Sequence, residues 1–284
     1  MVKQHSIGHL IDLSAGYLGD KGCCSPRLDA ELLLGHVLGL DRLDLYLNLD
    51  KPLNDGEVDE YRGLIGRRGQ RIPVAYLTGA REFYSLPLGV TSDVLIPRPE
   101  TEFLVDKVLE MLEPGVSVEI LELGTGSGAV AVALAYQDPN IKVTATDISP
   151  QALQVAKNNA ARLEVEGQIK FLESDLFANV AAKYTVICSN PPYIPRGEME
   201  HLPPEVKREP HAALDGGLDG LDFYRRILDQ APSFLERPGF VVVEIGWNQG
   251  REIRDLAEQA GLGWLETQKD YAGQDRVVVF TWGQ

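Results

Sequence analysis

Residues 116–147 read VSVEILELGTGSGAVAVALAYQDPNIKVTATD. An apolar β-type run, Val116–Leu123, passes directly into Gly124-Thr125-Gly126-Ser127-Gly128. A helical pattern follows over Ala129–Tyr136, and a second apolar run, Lys142–Asp147, ends on an acid. Strand, glycine turn, helix and strand in this order make a parallel crossover unit. Further strand patterns lie at Ile169–Glu173, Thr185–Ser189 and Phe240–Ile245, with helical patterns at Gln151–Leu163, Leu221–Leu235 and Gly250–Ala260. The alternation predicts an α/β fold with a parallel sheet covered by helices on both faces. Gly263–Lys269 and Arg276–Trp282 flank Asp270–Asp275 with no helix between them, so the last strand is expected to run antiparallel.

Working back from this sheet, residues 100–284 form one expected domain, in which Glu100 begins a helix running to about Leu112. Residues 74–99 read differently. Phe83, Tyr84, Leu86, Leu88, Val90, Val94, Leu95 and Ile96 are broken by Pro87 and by Thr91-Ser92-Asp93, and Pro97 and Pro99 end the run. Short strands around a turn, a β-hairpin linker, are the simplest expectation. Residues 1–73 carry helical patterns only. Ser25-Pro26 offers an N-cap with proline in the first turn, before Leu28, Leu32, Leu33, Val37 and Leu38. Asn54 and Glu57 resemble a capping box ahead of Val58, Tyr61, Leu64 and Ile65. Ile7, Leu10, Ile11 and Leu18 allow one more helix at the start. Arg62, Arg67, Arg68 and Arg71 lie together without an acid, either as a solvated helix face or as a docking surface for something anionic.

The chain has 284 residues, enough for about two domains. At 44% hydrophobic and 24% charged it has the composition of a globular protein and not of a disordered one. No run approaches the roughly 18 apolar residues of a membrane helix. Met1–Leu10 has no apolar core of a signal peptide, and three cysteines make no disulfide framework. A cytoplasmic setting is the expectation. A net charge of −15 repels phosphate backbones, which argues against a general nucleic-acid binder.

The glycine loop lets backbone lie close to a ligand at the carboxyl edge of the sheet. Its G-x-G-x-G spacing differs from the dinucleotide G-x-G-x-x-G, and no G-x-x-x-x-G-K-[ST] phosphate loop occurs. Asp147, at the end of the next strand, can accept from both hydroxyls of a ribose; alternatively it caps the helix beginning at Ile148-Ser149-Pro150. Loop and acid together indicate an adenosine-bearing ligand whose phosphates, if any, are not gripped in the usual way. S-adenosylmethionine fits that description.

Thr185–Ser189 leads into Asn190-Pro191-Pro192-Tyr193. Two prolines remove backbone donors and force one extended path out of the sheet. The Asn190 side-chain oxygen and the Pro191 carbonyl remain as acceptors, and Tyr193 offers a flat face. Two acceptors and a ring suit a planar NH2 group. An amide nitrogen is a poor nucleophile, and hydrogen bonds to both of its protons would enrich it and hold it in line with a sulfonium methyl. The five histidines show no metal-ligand spacing, so no metal is expected.

ELGTGSG, Asp147 and NPPY together resemble the class I, seven-stranded (Rossmann-like) methyltransferases that use S-adenosylmethionine. SPRLDAELLLGHVLG, RIPVAYLTGAREFYSLPLGV, LIPRPETE and REPHAALDGGLDGLDFYR resemble the peptide chain release factor glutamine methyltransferase family, PrmC or HemK, over nearly the whole chain. The resemblance implies transfer of a methyl group to the side-chain N5 of the glutamine in the GGQ motif of class-1 release factors, in translation termination. It implies that Gly124, Thr125, Gly126, Ser127, Gly128 and Asp147 hold the cofactor, that Leu176 after Asp175 lines the adenine, and that Asn190, Pro191, Pro192 and Tyr193 hold the glutamine. Asn190 and Pro191 would be the catalytic pair, with Asn190 also touching the cofactor. The helical domain would grip the release factor, and the enzyme would work as a monomer without nucleic acid or membrane. The alternative, from the same N-P-P-Y chemistry, is an N6-adenine DNA or guanine-N2 RNA methyltransferase.

Overall fold

A computed structural model of the chain describes residues 5–113 and 115–283; Met1–Gln4 of the N-terminal stretch lie outside the described residues. The chain divides into a helical unit, residues 1–80 with Pro203–Arg208, and a sheet unit, residues 81–202 with Glu209 onward. The excursion of Pro203–Arg208 into the helical unit has no counterpart in the sequence pattern.

The helical unit holds α1 (Ile7–Asp20), α2 (Pro26–Leu38), α3 (Arg42–Leu47), α4 (Asp55–Gly69) and α5 (Val74–Thr78). The capping box forms: Asn54 accepts from the Glu57 amide and Glu57 from the Asn54 amide. Ser25 makes no side-chain cap bond, and α2 starts on Pro26 alone. Leu33 and Leu34 enter the core with Ile11, Leu18 and Tyr61, whereas Leu28 and Leu32 stay exposed. The inward face of α2 is therefore not the stripe through Leu28 and Leu32 that spacing suggested. The arginines also separate. Arg68 is buried, donating to Asp29 at 2.8 Å and to Glu205 at 2.9 Å, while Arg71 donates twice to Glu205, at 2.7 and 2.6 Å. Only Arg62 and Arg67 of the four lie on an exposed face.

In the sheet unit β1 (Ala80–Phe83) and β2 (Leu86–Gly89) form the hairpin. It turns at Tyr84-Ser85, both left-handed at φ 52° and 60°, and not at Thr91-Ser92-Asp93. Left-handed φ at both central positions matches the twist of the flanking strands. Tyr84 is held there by Glu102, which accepts from its amide at 2.8 Å, and by its hydroxyl donating to Asp106 at 2.7 Å. Val94–Ile96 forms no strand.

The main sheet comprises β3 (Val118–Leu123), β4 (Ile141–Asp147), β5 (Ile169–Glu173), β6 (Tyr184–Ser189), β7 (Leu235–Glu244), β8 (Gly263–Lys269) and β9 (Asp275–Trp282), in the order β5-β4-β3-β6-β7-β9-β8. β3 to β7 are parallel, and β9 runs antiparallel between β7 and β8, as the sequence led one to expect. Side-chain alternation buries both faces. Ile120, Val186, Cys188, Val242 and Val279 pack with α6 (Glu102–Glu110) and α7 (Ala129–Gln137). Leu121, Leu123, Ile187, Val243 and Phe280 pack with α9 (Asp222–Phe234) and α10 (Gly250–Gln259). α8 (Pro150–Arg162) completes the crossover from β4 to β5. The chain runs outward from β3 to β5 and returns to β6 on the other side of β3. The carboxyl ends of β3 and β6 thus bound the switch point, where open α/β sheets form their ligand crevice.

Candidate active site

β3 and β6 end level, with Leu123 paired to Ser189, and the Ser189 hydroxyl donates to the Leu123 carbonyl at 2.8 Å. The glycine loop and Asn190 therefore leave the sheet side by side. Gly124 and Gly126 have left-handed φ, and a Cβ on either would meet nothing within 4 Å. Their outer side is open space bordered by backbone, which suits a ligand lying on the loop. Gly128 is required for the opposite reason: its Cβ would sit 2.9 Å from that of Ala156, so only glycine lets α7 start against α8.

Two carboxylates hold the loop. Glu122 accepts from the Thr125 hydroxyl at 2.6 Å and from the Ala131 amide at 3.1 Å, tying the loop to the first turn of α7. Burial pushes its carboxyl up to about 7, against those two donors. Asp147 accepts from the Gly126 amide at 2.8 Å and from the Ser149 amide at 2.9 Å. Burial raises its pKa, and these amides oppose the rise. The α8 cap is Ser149, which accepts from the Ala152 amide, so Asp147 is not the helix cap. A carboxylate has about four lone-pair sites, so Asp147 keeps acceptor capacity for a further donor beside these amides and that of Ile148. Ser127 is tied in through its carbonyl, which accepts from Asn159 at 2.8 Å.

Leu176 has left-handed φ of 50° and lies in the apolar cluster with Leu121 and Leu123. Its carbonyl accepts from the Ser174 hydroxyl at 2.8 Å, and neighbouring Asp175 pairs with Arg226 at 2.8 Å.

Asn190 donates through Nδ2 to Thr101 Oγ1 at 3.0 Å. Pro191 to Tyr193 leave the sheet after β6 and are held by the segment that follows. Ile194 bonds the Leu214–Gly216 stretch through both its amide and its carbonyl, and Gln249 donates to the Tyr193 carbonyl at 3.1 Å. Gly220 closes this contact, since a Cβ there would be 2.4 Å from the Tyr193 carbonyl oxygen. Burial pushes the Tyr193 phenol up to about 12, which keeps it neutral. Glu209, itself buried, accepts from the Ile96 amide at 3.0 Å and from Arg98 at 2.6 Å, fastening the segment before Thr101.

Glu122, Thr101, Glu209, Glu244 and Gln249 had no role in the sequence reading. A signal existed for two of them. Glu122 and Glu244 are acids set among apolar residues at the carboxyl ends of their strands, in ILELG and VVVEIG, where burial of a charge calls for a reason.

Residues 9–79 match the family model of the PrmC N-terminal domain, and residues 99–202 match that of the methyltransferase small domain. A release factor glutamine methyltransferase of Geobacter sulfurreducens is 43% identical over 275 residues, covering 96% of this chain and 95% of that protein. Another, of Moorella thermoacetica, is 44% identical over 253 residues, covering 88% of this chain and 89% of that protein. Among solved structures, the hMettl16 catalytic domain in complex with MAT2A 3'UTR hairpin 6 superposes with a TM-score of 0.60 at 15% identity, covering 76% of this chain and 82% of that one. A methyltransferase from Pyrococcus furiosus gives 0.53 at 20% identity, covering 70% and 90%. At such identities the likeness is one of fold.

Proposed function

The chain belongs to the release factor glutamine methyltransferase family, and from that premise we propose which of its atoms hold the two reactants. It is a methyltransferase acting on release factor glutamine. When bound, S-adenosyl-L-methionine supplies an electrophilic sulfonium methyl, with S-adenosyl-L-homocysteine as product. The residues fit that group: Gly124 and Gly126 leave open space beside the loop, and Asp147 keeps acceptor capacity for a ribose diol. Leu176 lies on the same edge, where it offers an apolar contact to the adenine.

The acceptor nitrogen is N5 of the glutamine in the GGQ motif. The Asn190 side-chain oxygen and the Pro191 carbonyl accept hydrogen bonds from its two N–H groups, and Tyr193 covers its plane. An amide lone pair is delocalised, so these bonds and the fixed orientation supply most of the rate enhancement. No strong base is needed, because the nitrogen proton becomes acidic as the new bond forms. The observation that carries this reading is the level pairing of Leu123 with Ser189, which supports a methyl donor on one loop and an amide on the next.

A single glutamine offers little binding energy, and the helical unit is the segment available to grip the rest of the release factor. Its exposed Leu13, Leu28, Leu32, Leu43 and Leu47, with Arg62 and Arg67, are the features that support this role. A cytoplasmic monomer completes the reading; among the described residues no helix is long and apolar enough to cross a membrane.

The test offers methyl-labelled S-adenosylmethionine with release factor, duplex DNA or ribosomal RNA. Label in the GGQ glutamine alone is the expected result. Label in a nucleic-acid amine would overturn it in favour of the adenine or guanine alternative, which the charge of −15 disfavours.

A further inference from the structure

Glu244 ends β7, and its carboxylate is buried without an evident structural purpose. The residue is 1% exposed, and among the described residues neither carboxylate oxygen has a hydrogen-bond partner of ordinary geometry. An unpartnered buried carboxylate is costly, so its surroundings matter. Ser189 pairs with Val243, so Asn190 and Glu244 step out of adjacent parallel strands at the same level. Alternation sends both towards the face of Cys188 and Val242, the face on which α6 packs. Thr101 stands immediately before α6, is 5% exposed, and already accepts from Asn190. Burial pushes the Glu244 carboxyl up to about 7, and the Thr101 hydroxyl is the foremost group acting against it. Arg276 and Arg98 also favour its charge, while Glu100 opposes it; Tyr193 and Tyr224 complete the surroundings.

A hydroxyl that accepts a hydrogen bond still has one proton to place. Here Glu244 is the nearby acceptor with nothing else to hold. We propose that Glu244 and Thr101 are positioning residues: Glu244 accepts the hydrogen bond that the Thr101 hydroxyl donates, and Thr101 then presents only a lone pair to Asn190. Only the Nδ2 end of the Asn190 amide can face that lone pair, so Oδ1 is turned towards the substrate. The direction is decisive, because the other flip would set an NH2 group against the NH2 of the substrate glutamine. In its ionised form, which Thr101, Arg276 and Arg98 favour, Glu244 has no proton to give and fixes the polarity of the chain Asn190 to Thr101 to Glu244.

The inference rests on Asn190 acting as the amide acceptor, and the experiment separates the two. Turnover on intact release factor and calorimetric cofactor affinity are measured for Asn190→Ala, Thr101→Val, Thr101→Ser, Glu244→Leu, Glu244→Gln and the double variant Asn190→Ala/Thr101→Val. Thr101→Val and Glu244→Leu should each lose about tenfold or more in kcat, with cofactor affinity within about twofold. Thr101→Ser and Glu244→Gln, which retain a hydroxyl and an acceptor oxygen, should recover most of it. Added to Asn190→Ala, Thr101→Val should cost less than about twofold more, because it acts only through Asn190. If Asn190→Ala turns over normally, the assignment of Asn190 itself falls. If Asn190→Ala is crippled while Thr101→Val matches wild type, or if the two losses multiply, the relay is wrong and Asn190 stands. Should Glu244→Leu fail to fold, Thr101→Val against Thr101→Ser decides the same question.

Discussion

Glu205 in the helical unit and Glu244 in the sheet unit are both glutamates withdrawn from water, yet their surroundings treat them in opposite ways. Burial works against the charge on Glu205, but hydrogen bonds from Arg71 and Arg68 overcome it and bring the carboxyl down to about 2. Glu244 has no comparable donors, and burial leaves it at about 7. Glu31 repeats the helical pattern: 1% exposed, it accepts from Arg42 at 2.7 Å and from Tyr46 at 2.6 Å. Among the described residues, the helical unit pairs Asp29, Glu31 and Glu205, the acids it withdraws from water, with arginines. The sheet unit keeps Glu122 and Glu244 poorly compensated, and both stand at the carboxyl ends of strands around the crevice. The contrast supports the proposed site in the sheet unit, although Glu209 there is buried and paired as the helical acids are.

The comparison can be broken most forcefully at the site. Asn190→Ala should lose roughly 10²–10³-fold in turnover, the scale of one preorganised polar contact, with the melting temperature and cofactor affinity little changed. Wild-type kinetics from this variant would remove the site from the sheet unit. Asp147→Ala should weaken S-adenosylmethionine binding by about 1.5–3 kcal/mol by calorimetry, with a smaller effect on saturated turnover.

On the scaffold side, Glu205→Gln should destabilise the helical unit by about 1.5–3 kcal/mol in denaturant titrations, leaving kcat on a GGQ peptide unchanged. The folded carboxyl titrates at about 2 against an ordinary 4.5, so its stabilisation is complete above about 4.5 and is lost as pH falls towards 2. The variant should lack that acid-induced loss.

For Glu122 the sign is reversed. The folded state keeps a proton to about 7 that the unfolded chain releases near 4.5, so this group makes stability fall as pH rises between those values. Comparing denaturation midpoints at about pH 5 and about pH 8, Glu122→Gln should flatten the difference. An unchanged slope would mean that Glu122 is compensated as fully as Glu205.

The smallest effect concerns docking. Reversing Arg62 and Arg67 to Glu should raise KM for intact release factor by at most about 1 kcal/mol per charge, less at high salt, and leave a GGQ peptide unaffected. Arg68 and Arg71 are unsuitable for this test, since changing them breaks the Glu205 cluster. Equal loss on factor and peptide would make the helical unit a support for the catalytic fold.

Element order, strand parity and the two loop motifs were legible in the sequence, because each depends on neighbours a few residues apart. The antiparallel last strand followed from a missing helix, and the capping box at Asn54 from a spacing of three. The hairpin turn was misplaced because Tyr84 and Ser85 are not residues that favour left-handed backbone; Glu102 and Asp106, in α6, stabilise them there. Arg68 and Arg71 read as a basic surface because their partner Glu205 lies 137 and 134 residues away. The same holds for Asn190, whose residue type was conspicuous while its orientation depends on Thr101, 89 residues earlier. By itself the sequence determined that the glycine loop, Asp147 and Asn190 follow strand ends, since alternation and turn chemistry are local. Only the tertiary structure decided which buried charges are paired and which way the Asn190 amide faces, because hydrogen-bond partners for buried groups are chosen by packing between strands and helices distant in the chain.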